Sequence, residues 1–200
     1  MTDYIPLKKT LEQSLSDFRS LDNYYTGRMN NILLQKLLAN IYNNPTHDNF
    51  FHFVNCLDFL YSSGLKYKDK NQNTKLKVTT ILFNNWDNGL CLKEIKTAPA
   101  IHFDKLDSLR NEIKHIGDYY SFTTKVFHQM NSDYFIWDKH VVKFMLYHNF
   151  LNTDSKKTTY RNYYEQVITM KNEIHWDKSH DELDISIWMY VDNNKSRYLR

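Results

Sequence analysis

Two side chains in this sequence combine a reactive type with a suggestive neighbourhood, Lys125 and Asp138. A lysine amine becomes a nucleophile when apolar surroundings strip its water, because desolvation disfavours the ammonium. Lys125 lies in Ser121-Phe122-Thr123-Thr124-Lys125-Val126-Phe127-His128, with an aromatic residue on either side. The ordinary reading of a lone lysine is a solvated surface residue, and the sequence leaves both readings open. Asp138 follows the apolar run Tyr134-Phe135-Ile136-Trp137 and precedes a helical pattern, so it is expected as an N-cap. A capping carboxylate is held rigidly, which is compatible with a second role beside developing positive charge.

Other chemistries find less support. There are nine His, but His47 with His52, His140 with His148 and His175 with His180 all miss the i, i+4 spacing of two ligands on one helix. The cluster His175-Trp176-Asp177 with His180 is the strongest of these, and no metal is expected there. His115 and His128 read as satisfied partners near a core. Cys56 and Cys91 match no C-x-x-C pattern, which excludes a four-cysteine iron–sulfur cluster and reads as two buried thiols in a reducing compartment. No phosphate-cradling glycine loop, dinucleotide-binding glycine pattern or serine elbow is present. No cofactor is expected.

The elements that must position Lys125 and Asp138 are helices. Only 4 Gly and 3 Pro interrupt 200 residues, and apolar residues recur at helical spacing. Leu7, Leu11, Leu15 and Phe18 give a first stripe, and Ile32, Leu33, Leu37 and Ile41 a second. Asn44-Pro45-Thr46 reads as a stop and a cap before Phe50, Phe53, Val54, Leu57 and Leu60, with Gly64 as the C′ residue. Lys66 to Lys75 is a polar connector. Val78, Ile81, Leu82 and Trp86 follow, closed by Asn88-Gly89, and Leu90 to His102 is expected to be irregular. A helix from about Asp104 carries Leu106, Leu109, Ile113 and Ile116 and ends at Gly117. A short amphipathic helix capped by Ser121 is next, then a break at Asn131-Ser132-Asp133, the extended run, and the Asp138 helix. Two more helices run through Tyr160, Tyr163, Tyr164, Val167 and Met170, and through Leu183, Ile187 and Val191. The expectation is an all-α chain of about eight or nine helices in one domain over 1–200.

The order helix, connector, helix bearing Lys125, then an extended run into Asp138-Lys139-His140 resembles the helix-hairpin-helix DNA glycosylase superfamily. Within it, the chain is similar to a bacterial group resembling 8-oxoguanine DNA glycosylases. That group carries Ser-Phe-Ala-Thr-Lys, an aromatic and His, then Pro-Ile-(Tyr/Trp)-Asp. Ser121 to Lys125, Phe127-His128 and Ile136-Trp137-Asp138 match it, and Leu183-Asp184 with Ile187-Trp188 matches its last helix. The two hairpin positions usually held by glycine are here Ser121 and Thr123.

The resemblance implies a helix-hairpin-helix glycosylase-like fold, with the catalytic segment at about 104–150, that acts on double-stranded DNA with a flipped base. Lys125 would attack the sugar, and Asp138 would stabilise the positive charge that develops. Ser121, Thr123, Lys139, His140 and Lys143 would meet the DNA backbone, and Phe122, His128 and Trp137 would line the base pocket. The alternative is a non-catalytic helical module binding nucleic acid or protein, such as a phage-defence or toxin-like protein.

Composition is compatible with both. Net charge is +3, which permits a polyanionic partner without demanding one, and aromatic content is 16%. Most of these rings fall at core spacing. Met1-Thr2-Asp3-Tyr4-Ile5-Pro6 shows no signal-peptide pattern and no apolar run is long enough to span a bilayer. The expected location is the cytoplasm.

Overall fold

The scarcity of breakers has the expected result: in the computed structural model, every regular element among the described residues is helical. The structure describes residues 5–20, 22–61, 65, 73–151 and 159–194, the side chains of 22–28 excepted. Met1 to Tyr4, Gly64 and residues 66–72 of the expected connector lie outside the described residues, while its last three, Asn73 to Lys75, form the first turn of a helix and not a loop. The α-helices are α1 (Ile5–Ser20), α2 (Asp22–Asn43), α3 (His47–Tyr61), α4 (Asn73–Asn84), α5 (Phe103–Lys114), α6 (Tyr120–Met130), α7 (Lys139–Tyr147), α8 (Tyr160–Glu173) and α9 (His180–Asn193). A 3-10 helix spans Leu92–Thr97. No described helix is long and apolar enough to cross a membrane.

The chain forms two compact units, Gly27–Tyr134 and the pair Met1–Thr26 with Phe135–Arg200. In the discontinuous unit, α9 packs against both α1 and α7. Leu11 and Leu15 of α1, Val141, Phe144 and Met145 of α7, and Leu183, Ile187 and Val191 of α9 are buried. Full burial of each large apolar side chain contributes about 1.5–3 kcal/mol. Ser179 starts α9 with a capping box, its hydroxyl accepting from the Glu182 amide while the Glu182 carboxylate accepts from the Ser179 amide. Arg19 pairs with Glu182, and Lys8 with Asp177 at 3.2 Å, so α1 is tied to the start of α9 by charge as well as by packing.

In the continuous unit α6 packs against α3, α5 and the 3-10 helix, while α4 packs on α3 and α5. Phe50, Phe53, Val54 and Leu57 form the buried face of α3, as their spacing predicts. Thr46 accepts from the Asn49 amide at 3.3 Å, the expected cap. Gly89 closes the turn after α4 at φ +59, and a Cβ there would lie 2.6 Å from Asn85 Oδ1. Only glycine fits both demands. Asn85 uses that oxygen to accept from the Leu90 amide at 3.2 Å.

Two expectations are corrected. The buried stripe of α2 is Leu34, Leu38 and Ile41, and Ile32 and Leu33 face outward at 42% and 45% exposure. The stretch Leu90 to His102, expected to be irregular, contains the 3-10 helix, whose Leu92 and Ile95 are fully buried. Those two stand three apart, the repeat of a 3-10 turn, over too short a span to show a period in sequence.

Candidate functional site

Lys125 owes its setting to α6. The helix begins at Tyr120 with Tyr119 as N-cap, and Tyr119 makes no side-chain capping bond. Gly117 has no Cβ to collide with the Tyr119 ring, which would lie 2.6 Å from one. Ser121, expected as the cap, is instead the second residue of the helix, because the Tyr119 carbonyl already accepts the first helical bond, from the Thr123 amide at 3.0 Å. Burial of this amphipathic helix extends beyond its apolar face: Tyr120, Phe122 to Phe127, Gln129 and Met130 are all buried. Neighbours on several sides enclose it, and polar side chains come inside with it.

Lys125 is 5% exposed. Its Nζ donates to the main-chain carbonyl of Tyr61 at 3.2 Å and lies 5.3 Å from the centroid of the Tyr61 ring. Tyr61 is the last residue of α3. A carbonyl there has no partner within its own helix and carries the negative end of the helix dipole. Carbonyl and ring face both attract a positive charge.

One turn along, Gln129 extends the network. Its Nε2 donates to the Tyr61 hydroxyl at 3.1 Å, while its Oε1 and main-chain carbonyl accept from Gln35 Nε2 at 3.2 and 3.0 Å. His128 is half-buried, with Nδ1 2.7 Å from the Tyr134 carbonyl. Phe122 and Thr123 are fully buried, and the Thr123 hydroxyl donates to the Tyr119 carbonyl at 3.2 Å. The Ser121 carbonyl accepts from the Thr124 hydroxyl at 3.0 Å.

Asp138 belongs to the other unit. The extended run before it forms no ladder, and its carbonyls are met by side chains. Tyr160 donates its hydroxyl to the Phe135 carbonyl at 2.9 Å and Tyr163 to the Ile136 carbonyl at 2.7 Å. Tyr160 and Tyr163, three apart on α8, present their hydroxyls to consecutive peptide groups, which answers the requirement that buried backbone acceptors be paired. Trp137 packs on Tyr163 with centroids 4.6 Å apart.

This held run delivers Asp138 to the start of α7 as the expected N-cap. Its Oδ1 accepts from the His140 amide at 2.7 Å and lies 2.9 Å from His140 Nδ1. The carboxylate thus occupies the place that suits an anion at a helix N-terminus. The His140 ring meets the Trp188 ring edge-on at 6.2 Å. Lys139 is exposed and Lys143 half-buried.

Ser121, Phe122, Thr123, Lys125 and His128 are therefore gathered on α6 in one unit, and Trp137, Asp138, Lys139, His140 and Lys143 around the start of α7 in the other. Sequence reasoning missed Tyr61, Gln129 and Gln35, which meet only through long-range contacts. It also missed Asp58, fully buried, which accepts from the Leu65 amide at 3.0 Å and pairs with Lys75 at 3.1 Å. An acidic residue four places after buried Val54, on an apolar face, was the available signal. Cys56 and Cys91 are free thiols, both half-buried where burial was expected, and partial burial pushes the Cys56 thiol up. No group of three or more His, Cys, Asp or Glu able to hold a metal ion occurs among the described residues. No family model, curated protein or solved structure matches the chain.

Proposed function

We propose that this chain is a base-excision DNA glycosylase with a helix-hairpin-helix glycosylase-like fold, using Lys125 as nucleophile and Asp138 as its electrostatic partner. The observation that carries the reading is the burial of Lys125, 5% exposed, within a segment whose residue order through Asp138 resembles that family. Lysines are almost never fully buried unless paired, and a desolvated lysine is the kind that readily sheds its proton to act as a nucleophile. In the reaction a target nucleotide of duplex DNA is flipped from the stack. Lys125 as free amine forms a bond to C1′ while the bond from C1′ to the base breaks, the base leaving with its electron pair and taking up a proton. Ring opening of the sugar gives a Schiff base on Nζ. Asp138 lowers the cost of positive charge at C1′, with Lys139, His140 and Lys143 contributing attraction for phosphates.

The test is borohydride trapping on duplexes bearing modified bases. A covalent adduct that maps to Lys125, and that Lys125→Gln abolishes, is expected. Base release by Lys125→Gln at the wild-type rate sinks the nucleophile.

A second reading is favoured by one specific feature: both groups have structural work. Lys125 caps the end of α3 and Asp138 caps the start of α7. A non-catalytic helical module that binds nucleic acid or protein needs nothing more of them. It predicts partner binding with no adduct on any modified duplex.

A further inference from the structure

The Lys125 amine is connected to three residues that the glycosylase reading leaves unused. Gln35 Nε2 donates to both acceptors of Gln129, Gln129 Nε2 donates to the Tyr61 hydroxyl, and Tyr61 accepts Lys125 Nζ on its carbonyl while its ring flanks the same atom at 5.3 Å. Gln129 is 3% exposed. Its amide is therefore fixed at both ends by partners in a water-poor setting, where such networks hold their members rigidly. The hydroxyl at one end of the Tyr61 side chain and the carbonyl on its main chain are both engaged, so the ring between them has little freedom.

A carbonyl oxygen can only accept. Whatever its protonation state, Lys125 must turn an N–H toward Tyr61 to keep this bond. In the neutral amine this leaves the lone pair directed away from α3. The contact can thus persist during attack, and it excludes approach of an electrophilic carbon from the side of that carbonyl. From this we infer that Tyr61 is a positioning residue for Lys125, with Gln129 and Gln35 as its supports. The catalytic meaning of this inference rests on the glycosylase reading, whereas the placement itself does not.

Two readouts separate the parts. The first needs no DNA. Ring-current displacement of the Lys125 side-chain resonances should be present in the wild type, persist in Tyr61→Phe and vanish in Tyr61→Leu. The second is the rate of borohydride-trapped adduct formation, measured at saturating duplex alongside the dissociation constant. Tyr61→Leu is expected to slow trapping by about tenfold to a hundredfold with duplex affinity unchanged, the scale on which misplaced reacting groups lose rate. Neither substitution touches the main-chain carbonyl; Tyr61→Phe, which keeps the ring and gives up the hydroxyl held by Gln129, should recover only part of that loss. Should Tyr61→Leu fail to fold by circular dichroism, Gln129→Met and the exposed Gln35→Ala decide the matter, with slower trapping expected in both. Wild-type trapping rates in Tyr61→Leu, or in both support variants if that chain does not fold, overturn the inference. So does an absent ring-current displacement in the wild type. If the wild type traps nothing but shows the displacement, the glycosylase reading fails and the placement of Lys125 stands.

Discussion

Replacing Tyr163 by Phe removes one oxygen atom and tests how the extended run before Asp138 is held. The ring remains, and with it the packing on Trp137 at 4.6 Å, so no cavity of consequence opens. What is lost is the 2.7 Å hydrogen bond to the Ile136 carbonyl, between residues that are 1% and 7% exposed. A buried acceptor stripped of its donor costs about 1–3 kcal/mol, more than the net value of the bond itself. Water cannot readily replace the hydroxyl, so a loss of about 1–2 kcal/mol is expected. Tyr160→Phe, which strips the adjacent Phe135 carbonyl, should cost a similar amount. The two carbonyls belong to consecutive residues, so the double substitution should depart from additivity by at least about 0.5 kcal/mol. Urea unfolding followed by circular dichroism measures each value, and an unchanged slope on denaturant confirms that only stability moved. Losses under about 0.5 kcal/mol for both single substitutions, the range of ordinary surface changes, would refute the reasoning.

Three further expectations are independent of it. Gly89→Ala forces φ +59 on a residue with a Cβ and drives that atom into Asn85 Oδ1, so the melting temperature should fall by several degrees, as for a loss of about 1–2 kcal/mol. Asp138→Ala should cost about 1 kcal/mol in urea unfolding through the lost cap, whereas Asp138→Asn, a capping residue of similar strength, should cost only a few tenths. Under the glycosylase reading both abolish adduct formation, which separates the chemical role from the structural one. Burial holds the His148 imidazole below its usual value, so the folded chain takes up this proton less readily than the unfolded chain. That contribution to stability is complete above the usual histidine range and declines as pH falls through it. His148→Phe should therefore weaken the dependence of unfolding free energy on pH between about 7 and 5; an unaltered dependence contradicts the assignment.

What the sequence disclosed was local. Thr46 and Asp138 were legible as caps because a cap and its amide are two or three residues apart. The buried faces of α3, α5 and α8 followed from spacing. α2 was misread for a physical reason: Ile32, Leu33 and Leu34 are consecutive, and Leu37 and Leu38 adjacent, so two stripes compete and only packing chooses between them. The setting of Lys125 was illegible because the carbonyl it meets is 64 positions away. The duties of Tyr160 and Tyr163 were half legible. Their rings announced a helix face, but their hydroxyls reach carbonyls 25 and 27 positions earlier.

The division of one unit between Met1–Thr26 and Phe135–Arg200 bears on the order of assembly. α1 packs on α9 across most of the sequence between them, and Arg19 and Glu182 are 163 positions apart. Closing so long a loop is entropically costly at first encounter, though the cost grows only as the logarithm of length. If the intervening Gly27–Tyr134 condenses beforehand, the effective loop shortens and the cost falls. α1 should then be among the last helices to be protected, and pulsed hydrogen exchange during refolding should find its amides labelled after those of α3 and α6 have closed.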